Sequence, residues 1–178
     1  MLHTPWKILG SKHPHRVLRE DTCELPNGNL LDAFVLEFRP WVNVLALTKN
    51  NEAVLIKQYR HGVQKVLWEI PGGIVEEGET SLEGAKRELL EETGYASSDV
   101  VQVGKFYPNP AIQTNTLHCF LALGAEVVGK QELDDAEDIE VQLVAFDELI
   151  EIAKRGEFLH GLHLATLFHT LAHMERIS

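Results

Sequence analysis

A single run of residues, 73–95, constrains this 178-residue chain more than any other part of it. The run begins as a glycine-rich loop and continues as a predicted helix of about 13 residues, indicated by the spacing of its charged and apolar positions. Thr80 or Ser81 can cap the start of that helix, and Glu83 can complete a capping box with Thr80. Gly94 suits the position just beyond its end. Local chemistry therefore defines both ends of a loop–helix unit.

The predicted helix carries its acidic residues on one face. Glu88, Glu91 and Glu92 are spaced i,i+3 and i,i+4, so their carboxylates meet on one surface and repel one another. A separate apolar stripe is formed by Leu82, Ala85 and Leu89. Carboxylate oxygens suit Mg²⁺ or Mn²⁺, and a bound cation would remove the repulsion. A solvated acidic surface is the alternative, and the glycine loop together with Arg87 favours the metal site.

The run matches the pattern G-x5-E-x7-R-E-U-x-E-E-x-G-U, where U is a bulky apolar residue. Its fixed positions are Gly73, Glu79, Arg87, Glu88, Glu91, Glu92 and Gly94. This pattern resembles the box of the Nudix hydrolases. The resemblance implies that Glu88 and Glu92 are the principal metal ligands. It also implies that Glu91 is a further ligand or a base, and that a backbone carbonyl near Gly72 completes the site.

Arg87 has two interpretations. Its i,i+4 spacing lets it pair with Glu91 as an ordinary surface ion pair, worth about 0.3–0.5 kcal/mol. The resemblance implies instead that Arg87 pairs with Glu79 and orients the metal-binding carboxylates. On this second interpretation, Glu79 and Arg87 both belong to the catalytic machinery.

Composition limits the classes of protein to consider. The chain is 44% hydrophobic and 24% charged, which is ordinary for a globular protein with one core and a small appended subdomain. Its net charge of −11 argues against binding to nucleic acid or to anionic membranes, and an anionic substrate would need local cations. Cys23 and Cys119 lie far apart, and the N-terminal sequence lacks the apolar segment of a signal peptide. We therefore expect a cytoplasmic protein with reduced thiols.

The remaining sequence predicts strands on both sides of the acidic helix. A Pro26-Asn27-Gly28-Asn29 turn indicates a hairpin between residues 16–24 and 30–39. Further strands are predicted at 42–47, 53–59, 66–70, 100–107, 116–123 and 139–146, and helices at 147–155 and 161–176. This order predicts an α/β sandwich, and the resemblance implies a mixed sheet between helices. We expect residues 1–40 to form a small N-terminal antiparallel β subdomain, and residues 41–178 to form the Nudix hydrolase domain.

Two segments outside the box, Val54–Arg60 and Trp68–Gly73, are similar to the ADP-ribose pyrophosphatase branch of the family. Members of this branch are typically homodimers whose N-terminal strands pack across the dimer. The resemblance therefore implies that residues 1–40 are a dimerisation element. It also implies substrate-binding roles for Arg60, at a phosphate or ribose, and for Glu69.

Other candidate residues are less closely tied to the motif. Trp41 could stack an adenine from across the dimer, with core or interface packing as the alternative. The branch often has an additional catalytic acid after the box, and the loop Asp134–Asp138 precedes the last predicted strand. Asp135 and Glu137 are the best candidates for that acid, and a solvated acidic loop is the alternative.

One segment departs from the branch. Members selective for ADP-ribose tend to carry Ser-Pro-Gly followed by an acid, whereas here Pro110 is followed by Ala111. Pro110 keeps the usual position of the proline and is a predicted substrate contact. Gln113 and Asn115, however, stand where an acid would be expected. The departure bears on the identity of the substrate rather than on the chemistry.

The resemblance implies Mg²⁺-dependent hydrolysis, with Mn²⁺ as a possible substitute, of the pyrophosphate bond in a nucleoside diphosphate joined to another moiety. ADP-ribose, cleaved to AMP and ribose 5-phosphate, is the predicted small-molecule substrate. The alternatives are another nucleoside diphosphate sugar, such as GDP-mannose or ADP-glucose, and a non-catalytic module that binds ADP-ribose.

His169 and His173 have the i,i+4 spacing of a zinc pair without an evident third ligand, which favours surface or interface positions.

Overall fold

The computed structural model describes residues 7–134 and 137–176, and the chain divides into two compact units. The first unit contains the residues up to Arg39 together with Tyr107–Thr116. The second contains Pro40–Phe106 and the residues from Leu117 onward. The sequence predicts a boundary near Pro40 but does not predict that residues 107–116 belong to the first unit.

The first unit contains a three-stranded antiparallel sheet of β1 (Lys7–His15), β2 (Leu18–Glu24) and β3 (Leu30–Leu36), in that order. In the β2–β3 turn, Gly28 has a φ of 83°, in the left-handed region that favours glycine. The Gly28 N–H donates to the Leu25 carbonyl at 2.9 Å. The predicted hairpin is confirmed. The sequence does not predict β1, which contains Gly10 and Pro14, two residues that are uncommon within strands.

Within the described residues, the second unit contains eight strands and three helices. The strands are β4 (Trp41–Thr48), β5 (Glu52–Arg60), β6 (Lys65–Glu69), β7 (Gly72–Ile74), β8 (Tyr95–Ala96), β9 (Asp99–Phe106), β10 (Leu117–Val127) and β11 (Ile139–Ala145). The helices are α1 (Ser81–Thr93), α2 (Phe146–Lys154) and α3 (Gly161–His173). None of these helices, nor any other helix in residues 7–134 and 137–176, has the length and apolar character that crossing a membrane requires.

The eight strands form one mixed sheet with the central order β11-β5-β4-β10-β8. Strands β4 and β10 are parallel, and β5 pairs with β11, β4 and β6 in antiparallel fashion. Side chains of β4 alternate between two cores, as the pleat of a strand requires. Val42 and Val44 pack in a core with α1, whereas Leu45 and Leu47 pack in a core with α2 and α3. Helices therefore cover both faces of the sheet, which confirms the predicted α/β/α sandwich.

Helix α1 begins and ends where its end chemistry predicts. The Glu83 N–H donates to the Thr80 hydroxyl at 3.2 Å, and the Thr80 N–H donates to the Glu83 carboxylate at 2.8 Å. These two bonds complete a capping box. Gly94 ends the helix with a φ of 74°, and its N–H donates to the Leu90 carbonyl at 2.7 Å.

The side chains of α1 follow the predicted pattern with one exception. Ala85 and Leu89 are buried, but Leu82 in the first turn is 37% exposed, so its predicted place in the apolar stripe is wrong. The last turn contains no basic residue and carries Glu91 and Glu92 instead. Because the C-terminal end of a helix has negative partial charge, the helix itself does not stabilise these carboxylates.

Candidate active site

Gly72 and Gly73, which the sequence predicts as part of a loop, belong to the short strand β7 and lie directly against the acidic face of α1. A Cβ atom on Gly73 would lie 2.6 Å from Cδ of Glu88, and one on Gly72 would lie 2.9 Å from Cα of Asn43. The Gly72 N–H also donates to Oε2 of Glu92 at 2.8 Å. Glycine is therefore needed for close approach at both positions, to a strand backbone at Gly72 and to a carboxylate at Gly73.

Arg87 joins this loop to the carboxylates of the box. Its Nε and Nη2 atoms donate to the two oxygens of Glu79 at 2.9 and 3.1 Å. Its Nη1 atom donates to Glu88 at 3.0 Å and to Glu91 at 2.9 Å, and Nη2 also donates to the Ile74 carbonyl at 3.0 Å. Arg87 is thus paired with Glu79 and with Glu91 at the same time. The hydrogen bonds from Arg87 hold the pKa of Glu79 below its ordinary value.

Burial raises the pKa of two glutamates of the box, Glu92 and Glu88. Removal from solvent raises the pKa of Glu92 to about 8, although the hydrogen bond from Gly72 opposes this shift. Burial likewise raises the pKa of Glu88, against the opposing charge and hydrogen bond of Arg87. Buried carboxylates ionise only when a positive charge or hydrogen bonds compensate for lost hydration. A divalent cation would supply that compensation, and a set of carboxylate oxygens fits a hard cation.

Arg60 at the end of β5 is held by Glu69 at the end of β6. Its Nε atom donates to Oε1 of Glu69 at 2.8 Å, and its Nη2 atom donates to Oε2 at 2.5 Å. The Glu69 side chain is fully buried, whereas that of Arg60 is 40% exposed. Burial raises the pKa of Glu92 and the charge of Arg60 opposes that shift, so this guanidinium lies within electrostatic reach of the box. The buried Glu69 carboxylate therefore fixes the direction of the Arg60 guanidinium.

The other predicted site residues lie in different places. Trp41 begins β4, is half-buried, and is paired with Ile74 of the glycine loop. Glu137 lies close enough for its charge to raise the pKa values of the two buried box glutamates. Pro110 is exposed and belongs to the first unit. Asp135 lies outside the described residues.

Two histidines that the sequence does not assign to the site lie beside Glu69. Nitrogen atoms of His160 and His163 and a carboxylate oxygen of Glu69 all lie within 4.8 Å of one another. The i,i+3 spacing of the two histidines at the start of the last helix is the available signal, but their partner Glu69 is far away in sequence. His169, by contrast, stacks on Phe106 with ring centroids 5.9 Å apart, which makes it a packing residue.

Comparisons with known proteins show the family to which this chain belongs. The NUDIX domain model matches residues 37–162. A protein of Bacillus subtilis (strain 168) named ADP-ribose pyrophosphatase is 34% identical over 138 residues, which cover 77% of this chain and 75% of the relative. A protein of Mycobacterium tuberculosis (strain ATCC 25618 / H37Rv) with the same name is 29% identical over 150 residues, covering 83% and 72%. A methanol dehydrogenase activator of Bacillus methanolicus is 33% identical over 141 residues, covering 77% and 75%.

A solved structure of an ADP compounds hydrolase has a TM-score of 0.84 to this chain, with 19% identity and 98% of each chain covered. This likeness shows that the two chains share a fold. The chain belongs to the NUDIX family, as the run 73–95 predicts. The relatives named ADP-ribose pyrophosphatase confirm the resemblance to that branch. Nudix hydrolases generally use a divalent metal, which agrees with the oxygen-rich donor set of the box.

Proposed function

We propose that this chain hydrolyses the pyrophosphate bond of ADP-ribose to give AMP and ribose 5-phosphate, with Mg²⁺ as its metal and Mn²⁺ as a possible substitute. The observation that carries the proposal is the packing of the largely buried Glu88 and the buried Glu92 against Gly72 and Gly73, with Glu92 within electrostatic reach of Arg60. Such carboxylates suit a hard cation, and a guanidinium suits a diphosphate. The relatives named ADP-ribose pyrophosphatase support the choice of substrate.

The metal would be held chiefly by Glu88 and Glu92, with Glu91 and a backbone carbonyl near Gly72 as further donors. A cation held there would neutralise charge on the diphosphate and would lower the pKa of a water bound to it. Arg87 keeps the donors in place, because one guanidinium contacts several of the box carboxylates at the same time.

The remaining roles concern the substrate and the proton. Arg60, fixed by Glu69, binds a phosphate or ribose oxygen of the substrate. A carboxylate of the box, or an acid of the 135–137 loop, accepts the proton of the attacking water. Trp41, at the adenine, and Pro110 are proposed as further substrate contacts.

The first unit is proposed to mediate a homodimer of a cytoplasmic enzyme. Its sheet exposes large apolar side chains, among them Leu30 and Phe34, which lie on the same face of β3. Exposed apolar residues on one small sheet are typical of a surface that another chain covers. Light scattering after size-exclusion chromatography tests this assignment, and a mass near the 20.0 kDa of one chain would contradict it.

A substrate panel tests the proposed activity. We expect rapid, Mg²⁺-dependent release of AMP from ADP-ribose, and slower turnover of ADP-glucose, GDP-mannose, NADH, diadenosine polyphosphates and nucleoside triphosphates. Products are identified by chromatography, with Glu77→Gln as a control variant, since Glu77 is an exposed loop acid outside the box pattern. Faster turnover of another nucleotide sugar would reassign the substrate. Tight binding of ADP-ribose without turnover of any compound would favour the non-catalytic module.

Arg87→Lys is expected to lower kcat about 100-fold and the melting temperature by about 3–6 °C. A single ammonium group cannot reproduce the planar fork that reaches Glu79, Glu88 and Glu91 together. Initial rates and calorimetry measure the two effects. Lys86→Ala is the matched control, because Lys86 precedes Arg87 on α1 and is exposed. A kcat within threefold of the wild type would show that the Arg87 contacts do not position the donors.

A further inference from the structure

We propose that His163 is a positioning residue. It fixes the Glu69–Arg60 pair, and it fixes the backbone at Ile70, which leads to Gly72. Its role at Arg60 rests on the proposed function. His163 lies in the first turn of α3, only 4% exposed, and its Nδ1 atom accepts the Ile70 N–H at 2.8 Å. Ile70 stands between Glu69, which holds Arg60, and the Pro71–Gly72 segment, so a single imidazole contacts the backbone that joins the two parts of the site.

The hydrogen bond to Ile70 defines the protonation of the ring. Because Nδ1 accepts, a neutral imidazole must carry its proton on Nε2. Burial favours this neutral form, since it lowers the pKa of His163 well below its ordinary value. The Nε2 atom lies 3.6 Å from Oε2 of Glu69, so the N–H faces the carboxylate at slightly more than hydrogen-bond distance. Glu69 is therefore enclosed between the Arg60 fork and the His163 ring.

The helix that carries His163 is itself fixed to the central sheet. The Asn43 side chain on β4 donates from Nδ2 to the Thr166 hydroxyl at 3.1 Å. That hydroxyl donates to the Leu162 carbonyl at 3.0 Å. Gly72 is paired with the same Asn43 in the sheet. The position of His163 is thus set by the packing of α3 against β4 in the core of the second unit.

A metal centre formed by Glu69, His160 and His163 is the competing interpretation. Their donor atoms are close together, and Nδ1 of His160 is buried with no hydrogen-bond partner among the described residues. Coordination through Nε2 of His163, however, would need a lone pair where the Ile70 hydrogen bond places a proton. Arg60 also brings a positive charge to both oxygens of Glu69. These two observations favour a hydrogen-bonded positioning cluster over a cation.

The tautomer of His163 is a direct test that needs no substrate. Long-range proton–nitrogen NMR of the full-length wild type near neutral pH should show a neutral ring with Nε2 protonated and Nδ1 bare. A ring protonated on Nδ1, or on both nitrogens, would overturn the proposal. Metal analysis of the protein as purified should find no stoichiometric zinc or other transition metal whose binding depends on His160 and His163. One equivalent that is lost in both His160→Ala and His163→Gln would overturn it in favour of the metal centre.

Two substitutions separate the contacts of the ring. In His163→Asn the amide oxygen stands in for Nδ1, so the Ile70 bond is kept and the group facing Glu69 is lost. We expect KM for ADP-ribose to rise about five- to tenfold with kcat within about threefold of the wild type. In His163→Gln the amide nitrogen stands in for Nε2 and the acceptor for Ile70 is lost. Here we expect kcat to fall about tenfold, because the Gly72 segment shifts, with KM within about threefold.

A purely structural role predicts a different result. Both variants would then lose kcat/KM only in proportion to their loss of folded protein, and this outcome would overturn the proposal. Wild-type values of kcat and KM in both variants would overturn it as well. His173→Asn, an exposed histidine on the same helix, is the matched control and should leave kcat and KM unchanged. If the wild type cleaves no substrate of the panel, the proposed function fails, whereas the tautomer measurement still decides whether His163 holds Ile70 and faces Glu69.

Discussion

Glu92→Gln is expected to lower kcat about 1,000-fold and, at the same time, to raise the melting temperature of the metal-free protein. Loss of a principal metal ligand removes several kcal/mol of transition-state stabilisation, and about 1.4 kcal/mol corresponds to each factor of ten. The gain in stability has a separate cause. A glutamine at position 92 keeps an oxygen that can accept the Gly72 N–H but has no charge to bury.

The gain in stability should depend on pH in a defined direction. The pKa of Glu92 in the folded protein is about 8, above its ordinary value of 4.5. The folded state therefore binds this proton more tightly than the unfolded state does, and Glu92 destabilises the protein progressively as pH rises from about 4.5 to 8. The melting-temperature difference between Glu92→Gln and the wild type, measured in EDTA, should grow across that window and level off above it.

Addition of Mg²⁺ should reverse the order of the two melting temperatures, so that the wild type melts above Glu92→Gln. A cation that binds only the folded wild type raises its melting temperature, whereas the Glu92→Gln protein should respond weakly. Glu77→Gln serves as the control and should follow the wild type in every condition. If Glu92→Gln retains a kcat within tenfold of the wild type, Glu92 is not a principal ligand. If the melting-temperature difference stays constant with pH, Glu92 is not the buried titrating group.

Alanine at Gly73 and alanine at Gly72 are expected to have opposite principal effects. At Gly73 the new methyl group collides with the Glu88 carboxylate, which can rotate away, so the fold should survive. A displacement of about 1 Å at a reacting centre can cost about 100-fold in rate, and we expect a loss of kcat of that order. At Gly72 the collision is with the backbone of Val42 and Asn43, which cannot move without disrupting the β4–β7 pairing. We therefore expect a loss of about 3–5 kcal/mol of folding stability.

Chemical denaturation and steady-state kinetics separate these two outcomes. Gly62→Ala is the control, because a Cβ atom there would meet nothing within 4 Å. A Gly73→Ala protein with normal kcat would mean that Glu88 does not need to lie against the loop. A Gly72→Ala protein of wild-type stability would mean that β7 can separate from β4 without consequence.

The loop–helix unit could be predicted from sequence because its determinants are local. Thr80, Glu83 and Gly94 define the ends of α1 through bonds between residues at most four positions apart. The i,i+3 and i,i+4 spacing of the acids places them on one face of the helix whatever surrounds it. The apolar run 42–47 and the Pro26–Asn29 turn are equally local signals, and the predicted strand and hairpin are both confirmed.

Long-range pairings could not be predicted in this way. His163 meets Ile70 across 93 residues of sequence, and no pattern in either segment indicates the other. The segment 107–116 joins the first unit through backbone hydrogen bonds, such as the one from the Leu36 N–H to the Ile112 carbonyl at 2.6 Å. Such bonds do not depend on which side chains the segment carries, so its sequence does not indicate them. Leu82 satisfied the helical spacing but lies in the first turn of α1, where it is partly exposed. Periodicity defines a helix face and does not define how far along the helix that face is covered.

The acids at the C-terminal end of α1 have a consequence for metal affinity. Glu92 lies where burial, the charges of Glu88 and Glu137 and the helix dipole all oppose negative charge. The metal-free protein therefore holds this carboxyl group in an electrostatically unfavourable place, and cation binding should be accompanied by release of its proton. Apparent Mg²⁺ affinity should then rise with pH up to about 8. Occupancy of the metal site would therefore depend on pH as well as on magnesium concentration. A fall in pH would weaken metal binding at constant magnesium concentration.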